Sequence, residues 1–165
     1  MLIKRLETTL LLSYYESLLS LLQQLCRTKN GAIHVLNAGL FEAVRDSQLF
    51  SADPDIGIDI DNADALRKYY DLLLSVLRVI VCAVFSRGLH NEQMKEQTRG
   101  FLTENRPSMV GIFKRLAKIG GDVGAGHDET LRDLAKAYTA LVAATDFLAF
   151  EDSEVTQFSR PGLFS

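Results

Sequence analysis

The sequence predicts an all-α fold, and three observations carry the prediction. Leucine-rich runs place apolar residues three or four positions apart, which is helical periodicity. Only 3 prolines occur in 165 residues, and single Gly or Asn residues separate the apolar runs. The composition, with 47% hydrophobic and 24% charged residues, excludes disorder as the main state. The length fits one domain or one piece of a larger one.

The first helix is predicted over residues 3–27. Its apolar positions recur at helical spacing through Leu6, Leu10, Leu11, Tyr14, Leu18, Leu21, Leu22 and Leu25. Leu12, Tyr15 and Leu19 widen this stripe. Because so wide an apolar stripe needs cover on more than one side, we expect neighbours on several faces of this helix.

Two short helices are predicted next. Asn30 is a plausible N-cap for a helix over residues 31–38, Gly39 ends it, and a third helix follows over residues 40–49. Armadillo and HEAT repeats change direction through short helices punctuated by glycine in this way.

A long central helix is predicted over residues 63–87, with Asp61 or Asn62 as its cap. Its stretch 72–85 contains only Ser75 and Arg78 as clearly polar residues, which indicates a helix sandwiched between neighbours. We expect no membrane insertion, because this run is interrupted and too short for a span of about 20 residues. No targeting peptide is predicted either.

The acidic segment 51–64 precedes this helix, and it is predicted to be a structured loop. Its three isoleucines are expected to pack on a helix layer while its aspartates face water.

The second half continues the helical pattern. Asn91 is expected to cap a polar helix to about Glu104, and Pro107 suits the first turn of the next helix. The face of that helix comprises Met109, Ile112, Phe113, Leu116 and Ile119. After a flexible loop at 120–126, one last helix begins at Asp128 and carries a stripe of Leu131, Leu134, Tyr138, Leu141, Thr145 and Leu148.

These elements predict a right-handed superhelical α-solenoid segment over residues 1–150. Its units are HEAT/armadillo-like helix pairs of about 40 to 47 residues. Residues 151–165 are predicted to be a C-terminal tail, partly ordered or cut from a longer chain.

Two segments resemble ligand-binding loops and depart from them in detail. The run from Asp53 lacks the turn glycine and the final bidentate glutamate of a calcium-binding EF-hand. The segment 121–126 has the glycines of a phosphate loop, but His127 and Asp128 stand where Lys and Ser or Thr are required. A solvated acidic loop and a flexible linker are therefore expected instead.

The remaining side chains suggest no catalytic or metal site, and we expect no enzyme activity and no cofactor. Cys26 and Cys82 lie in apolar runs and are predicted to be buried free thiols. His34, His90 and His127 lie in separate segments without a second ligand at helical spacing, as surface or capping histidines do. The net charge of −3 argues against nucleic-acid binding.

Two tyrosine pairs are expected to serve packing. In Tyr14–Tyr15 and in Tyr69–Tyr70, one ring is predicted to enter the core and the other to lie near the surface.

Four segments resemble the largest inner-ring (adaptor) scaffold nucleoporins of the nuclear pore complex, fungal members in particular. They are residues 28–41, 53–61, 65–80 and 101–107, and the similarity extends over about residues 1–150. The resemblance implies a piece from the C-terminal region of a much longer α-solenoid.

What the resemblance implies is a structural role at the nuclear pore complex, in the nuclear envelope of the nucleus. Family members support protein and mRNA transport by binding segments of linker nucleoporins, among them a coiled-coil nucleoporin. The alternative is a transport-receptor-like helical module that binds Phe-Gly repeats. The sequence does not identify any partner-binding residue. Because a solenoid segment exposes faces that its neighbours would cover, we also expect self-association.

Overall fold

The computed structural model describes residues 2–51, 63–119 and 127–158, and every regular element there is a helix. In chain order the eight helices are α1 (Leu2–Leu25), α2 (Lys29–Asn37), α3 (Leu40–Asp46), α4 (Ala63–Arg87), α5 (Glu92–Glu104), α6 (Arg106–Ile119), α7 (His127–Ala144) and α8 (Phe147–Phe158). The all-α prediction is confirmed. The predicted loops at 52–62 and 120–126, and the residues of the calcium-loop and phosphate-loop comparisons within them, lie outside the described residues.

Helix α4 is the centre of the fold, as predicted. It packs on α1 and α2 on one side and on α7 on the other, and it also contacts α5. Its residues Leu73, Leu77 and Ile80 are fully buried. By length and composition alone, α4 could cross a membrane, but half of that stretch is buried inside the fold. Core helices pass the same test, so this is weak evidence for a membrane span.

The helices recur in groups. Helices α1, α4 and α7 begin about 60 residues apart, and in the described ranges two shorter helices follow each of the first two. Contacts join neighbouring groups: α1 meets α4, α4 meets α7, and α3 meets α5. Stacking of successive groups is the arrangement of a solenoid segment. Among the described residues each of the first two groups shows three helices where the sequence predicts pairs, because the chain turns again at Gly39 and Asn105.

The junction between α1 and α2 is tighter than the sequence suggests. Thr28 and not Asn30 is the N-cap, and its hydroxyl accepts a hydrogen bond from the Gly31 amide at 3.0 Å. Helix α2 therefore begins two residues earlier than predicted. Gly31 lies so close to the Leu25 carbonyl that a Cβ at this position would clash with it. This close approach requires glycine.

Other predicted boundaries agree with the structure. Asn91 caps α5, and its side chain accepts from the Met94 amide at 2.8 Å. Pro107 lies in the first turn of α6. On the face predicted for α6, Met109 and Ile112 are buried, whereas Phe113 is exposed.

The last predicted helix is two helices, and this is a correction. The chain breaks after Ala144, where Asp146 adopts a left-handed backbone with φ 51°. Arg99 of α5 stabilises the break, because its Nε donates to the Thr145 carbonyl at 2.8 Å and its guanidinium lies over the Phe150 ring. Leu148 consequently belongs to α8. That helix continues to Phe158, beyond residue 151, where the sequence predicts a tail.

The environment of α1 departs from the prediction more than that of any other described helix. Leu19 and Leu22 pack against the core, whereas Leu10, Leu11 and Leu21 are more than half exposed. Within the described chain the predicted cover is missing from these positions, since the main contacts of α1 are with α4 and α2. The prediction for the Tyr14–Tyr15 pair is wrong. Both rings are exposed, and they pack edge to face at 6.0 Å.

Candidate partner-binding groove

A groove lies above α4, between α1 and α7. Its volume is about 470 Å³. The lining residues come from all three helices and are Gln23, Leu74, Arg78, Val81, Cys82, Asp133 and Ala137. Clefts between packed helices are one of the places where helical proteins bind a ligand or a partner segment.

Helical spacing on α4 builds the floor of the groove. Leu74, Arg78, Val81 and Cys82 stand at positions i, i+4, i+7 and i+8 of α4, so they lie on one side of the helix. Leu74 is buried, while Val81 and Cys82 are half-buried and pack against the core. Ala137 of α7 closes one side with a small side chain. Most of the lining surface is therefore apolar.

A polar rim joins α4 to α7. An Arg78 guanidinium nitrogen lies 3.2 Å from the Asp133 carboxylate. Asp133 also accepts from Lys136 at 3.1 Å. Further towards the N-termini, the Thr130 hydroxyl donates to the Asp71 carboxylate at 3.1 Å. These contacts show that α4 and α7 run parallel.

Two cysteines lie where α1 meets α4. The Cys82 Sγ is 3.7 Å from the Gln23 carbonyl oxygen. Cys26 is fully buried, as predicted, whereas Cys82 is only half-buried. Burial raises the pKa of the Cys26 thiol to about 11, and the neighbouring Cys82 adds to the shift. At neutral pH Cys26 is therefore a protonated, apolar packing group and not a nucleophile.

The other residues considered for catalysis or metal binding do not come together in the described structure. His34 and His90 are exposed, in agreement with their predicted surface positions, while the side chain of His127 lies outside the described residues. In the part of the chain that the structure describes, no three His, Cys, Asp or Glu side chains come together as a metal site. The groove is thus suited to binding and offers no reacting group that its geometry activates.

The sequence pattern did not predict the groove, although one signal for it was present. Arg78 interrupts the most apolar run of the chain, and a lone charge on a core helix needs a partner or a solvent-facing opening. Its partner Asp133 is 55 residues away. Only the packing of α7 beside α4 brings the two together.

Two comparisons with known proteins agree with the helical architecture. The family of nuclear pore complex scaffold nucleoporins 186/192/205 matches residues 3–145. Nucleoporin NUP192 of Chaetomium thermophilum is 34% identical over an alignment of 173 residues. The alignment covers 86% of this chain and 10% of that relative, so the chain spans about a tenth of the length of the curated protein that it matches.

Proposed function

Because this chain belongs to the nuclear pore complex scaffold nucleoporins 186/192/205, we propose that it is an inner-ring segment whose groove between α1, α4 and α7 binds a linker nucleoporin peptide. The family is a structural one, and its place is the nuclear pore complex in the nuclear envelope. The role in the inner ring and the peptide partner are the proposal.

The groove carries the proposal. An apolar floor with a charged rim is the surface that an amphipathic helix recognises, because its apolar anchors enter the groove while its polar residues meet the rim. Leu74, Val81 and Ala137 offer the apolar contact, and Arg78 and Asp133 offer one charge of each sign. A linker helix with apolar residues at i, i+3 or i+4, and i+7, bordered by charged residues, would fit this pattern.

A calorimetric titration tests the proposal. The chain is titrated with the helical linker segment of the inner-ring coiled-coil nucleoporin, and a Phe-Gly-repeat peptide is titrated in parallel. We expect saturable binding of the linker segment. Binding of the repeat peptide alone would favour the transport-receptor-like alternative, and binding of neither would contradict a peptide site in this chain.

A matched pair of variants locates the site. Ala137→Trp fills the groove and should reduce linker affinity at least about tenfold, since the partner loses its apolar contact. Thr139→Trp places the same bulk at an exposed position on the far side of α7 and should leave affinity unchanged. Circular dichroism checks that both variants keep the helical fold. Equal affinity of the two variants would place the binding site elsewhere.

A further inference from the structure

A second cavity, of about 280 Å³, lies where the turn between α1 and α2 meets the turn between α4 and α5. Lys29, the first residue of α2, forms one wall. The end of α4 and the turn after it form the other wall, with Arg87, Gly88, His90 and Asn91. We call this cavity the basic pocket, because three of the five described lining residues are Lys, Arg and His.

Hydrogen bonds of the backbone and of two caps hold both walls of the basic pocket in place. Gly88 ends α4 with a left-handed backbone, φ 102°, and its carbonyl accepts from the Asn91 amide at 3.2 Å. The Asn91 side chain then accepts from the Met94 amide at 2.8 Å. On the opposite wall, the Thr28 hydroxyl accepts from the Gly31 amide at 3.0 Å. The pocket therefore has a backbone frame that exists before any ligand binds.

The two segments that form the basic pocket contain no carboxylate. No Asp or Glu occurs from residue 17 to 41 or from residue 72 to 91. Glu92 follows the pocket directly along the chain, and its carboxylate pairs with Lys95 at 3.5 Å. Among the described residues, no carboxylate lies within 4.0 Å of Lys29, Arg87 or His90. The positive charge of the pocket is therefore not neutralised by its described neighbours.

Lys29 also has an unfavourable position in its helix. The N-terminus of a helix carries a partial positive charge, which favours acidic residues in the first turn. Helix α2 has no acidic residue in that turn and begins with Lys29 instead. The first amides of a helix, moreover, have no acceptor within the helix. An anion in the pocket would compensate both the lysine and the helix end.

We propose that the basic pocket binds the phosphate group of a phosphoserine or phosphothreonine in a partner polypeptide. Such a phosphate carries a charge of about −1.5 to −2 at pH 7 and three acceptor oxygens. Arg87 offers a planar fork for two parallel hydrogen bonds, and Lys29 offers a compact ammonium group. His90 donates from a ring nitrogen. A carboxylate has one charge and two oxygens, so it would leave part of this donor set unused.

A phosphate on a protein fits the basic pocket better than a nucleic acid or a membrane does. Those two partners present many phosphates, and they are bound by extended basic surfaces. The pocket is one cluster of three side chains on a chain with a net charge of −3. It is independent of the proposed linker groove, because the described lining residues of the two cavities do not overlap.

A nuclear magnetic resonance titration of the ¹⁵N-labelled full chain tests the proposal. The probe is a short peptide of Gly and Ala residues with one central phosphoserine, and peptides with Ser or Glu in its place are compared. We expect saturable shifts of the Lys29, Gly88 and His90 amides with the phosphoserine peptide. Because a single group supplies the contact, the dissociation constant should lie in the high-micromolar to millimolar range.

A pair of variants with the same change of charge locates the contact. Arg87→Gln should weaken binding of the phosphoserine peptide about tenfold or more, because a bidentate charge-assisted contact is lost. Arg132→Gln removes the same charge at an exposed position of α7 and should leave the affinity unchanged. Arg87→Lys keeps the charge without the fork and should give an intermediate affinity. Circular dichroism checks that each variant keeps its helix content.

Four outcomes overturn the proposal. An absence of shifts at these amides would exclude the pocket as a phosphate site. Equal affinity for the Glu peptide would make the pocket a general site for acidic side chains. Equal weakening by Arg87→Gln and Arg132→Gln would reduce the effect to non-specific attraction. A single-stranded oligonucleotide that binds more tightly and displaces the peptide would assign the pocket to a nucleic acid.

Discussion

Arg78 of α4 and Asp133 of α7 form an ion pair at 3.2 Å that spans the rim of the groove. Their side chains are 50% and 28% exposed, and Asp133 has Lys136 as a second partner. Because exposed ion pairs contribute about 0–1 kcal/mol to stability, the pair does little to hold α4 and α7 together. Its position fits a role in partner recognition better than a role in folding.

The first prediction separates these two roles. Asp133→Asn should lower the free energy of unfolding by less than about 1 kcal/mol and weaken linker binding several-fold. Urea denaturation and calorimetric titration measure the two effects. The control Arg106→Ala removes another exposed pair, to Glu151 at 3.2 Å, and should leave linker binding intact. A large loss of stability in Asp133→Asn would contradict the recognition role.

The second prediction concerns two glycines. Gly31→Ala should destabilise the chain by about 2 kcal/mol or more, since its Cβ would collide with the backbone of Leu25. Gly100→Ala, in the middle of α5 with open space around the new Cβ, should stabilise by about 0.5–1 kcal/mol. Thermal and urea unfolding measure both variants. Similar effects of the two substitutions would show that the α1–α2 junction is looser than the structure indicates.

The third prediction concerns the centre of α4. Leu77 is fully buried, so Leu77→Ala should cost about 3–4 kcal/mol through lost burial and the cavity left behind. Phe85, on the same helix, is 45% exposed, and Phe85→Ala should cost about 1 kcal/mol or less. Urea titration of the pair gives the difference. Equal costs would contradict the central position of α4.

The fourth prediction concerns pH. The raised pKa of Cys26, about 11 in the folded chain, means that the folded state holds this proton more tightly than the unfolded state. The resulting stabilisation is fully present below the unfolded pKa of about 9 and is lost as the pH rises from about 9 to 11.

We therefore expect the free energy of unfolding to fall by about 1–2 kcal/mol more over this range in the unaltered chain than in Cys26→Ala. Subtracting the pH profile of Cys26→Ala from that of the unaltered chain removes the contribution of Tyr138. The pKa of this tyrosine is also raised by burial. Parallel pH profiles of the two proteins would contradict the prediction.

The sequence determined most of the described helices and most of their ends. The apolar periodicity of residues 63–87 and the cap at Asn91 predict α4 and α5 correctly, because helical spacing and N-terminal capping act within a few residues of the chain. The resemblance of four segments also identified the family.

Tertiary structure decided the rest. The break at Asp146 depends on Arg99, which lies 46 residues before Thr145 and binds its carbonyl. The groove depends on α7 packing beside α4. The exposure of Leu10, Leu11 and Leu21 on α1 likewise follows from which helices of the described chain pack on α1. Hydrophobic periodicity shows that a face is apolar, but only the packing of distant segments decides what covers it, since burial is a property of the whole fold and not of the local chain.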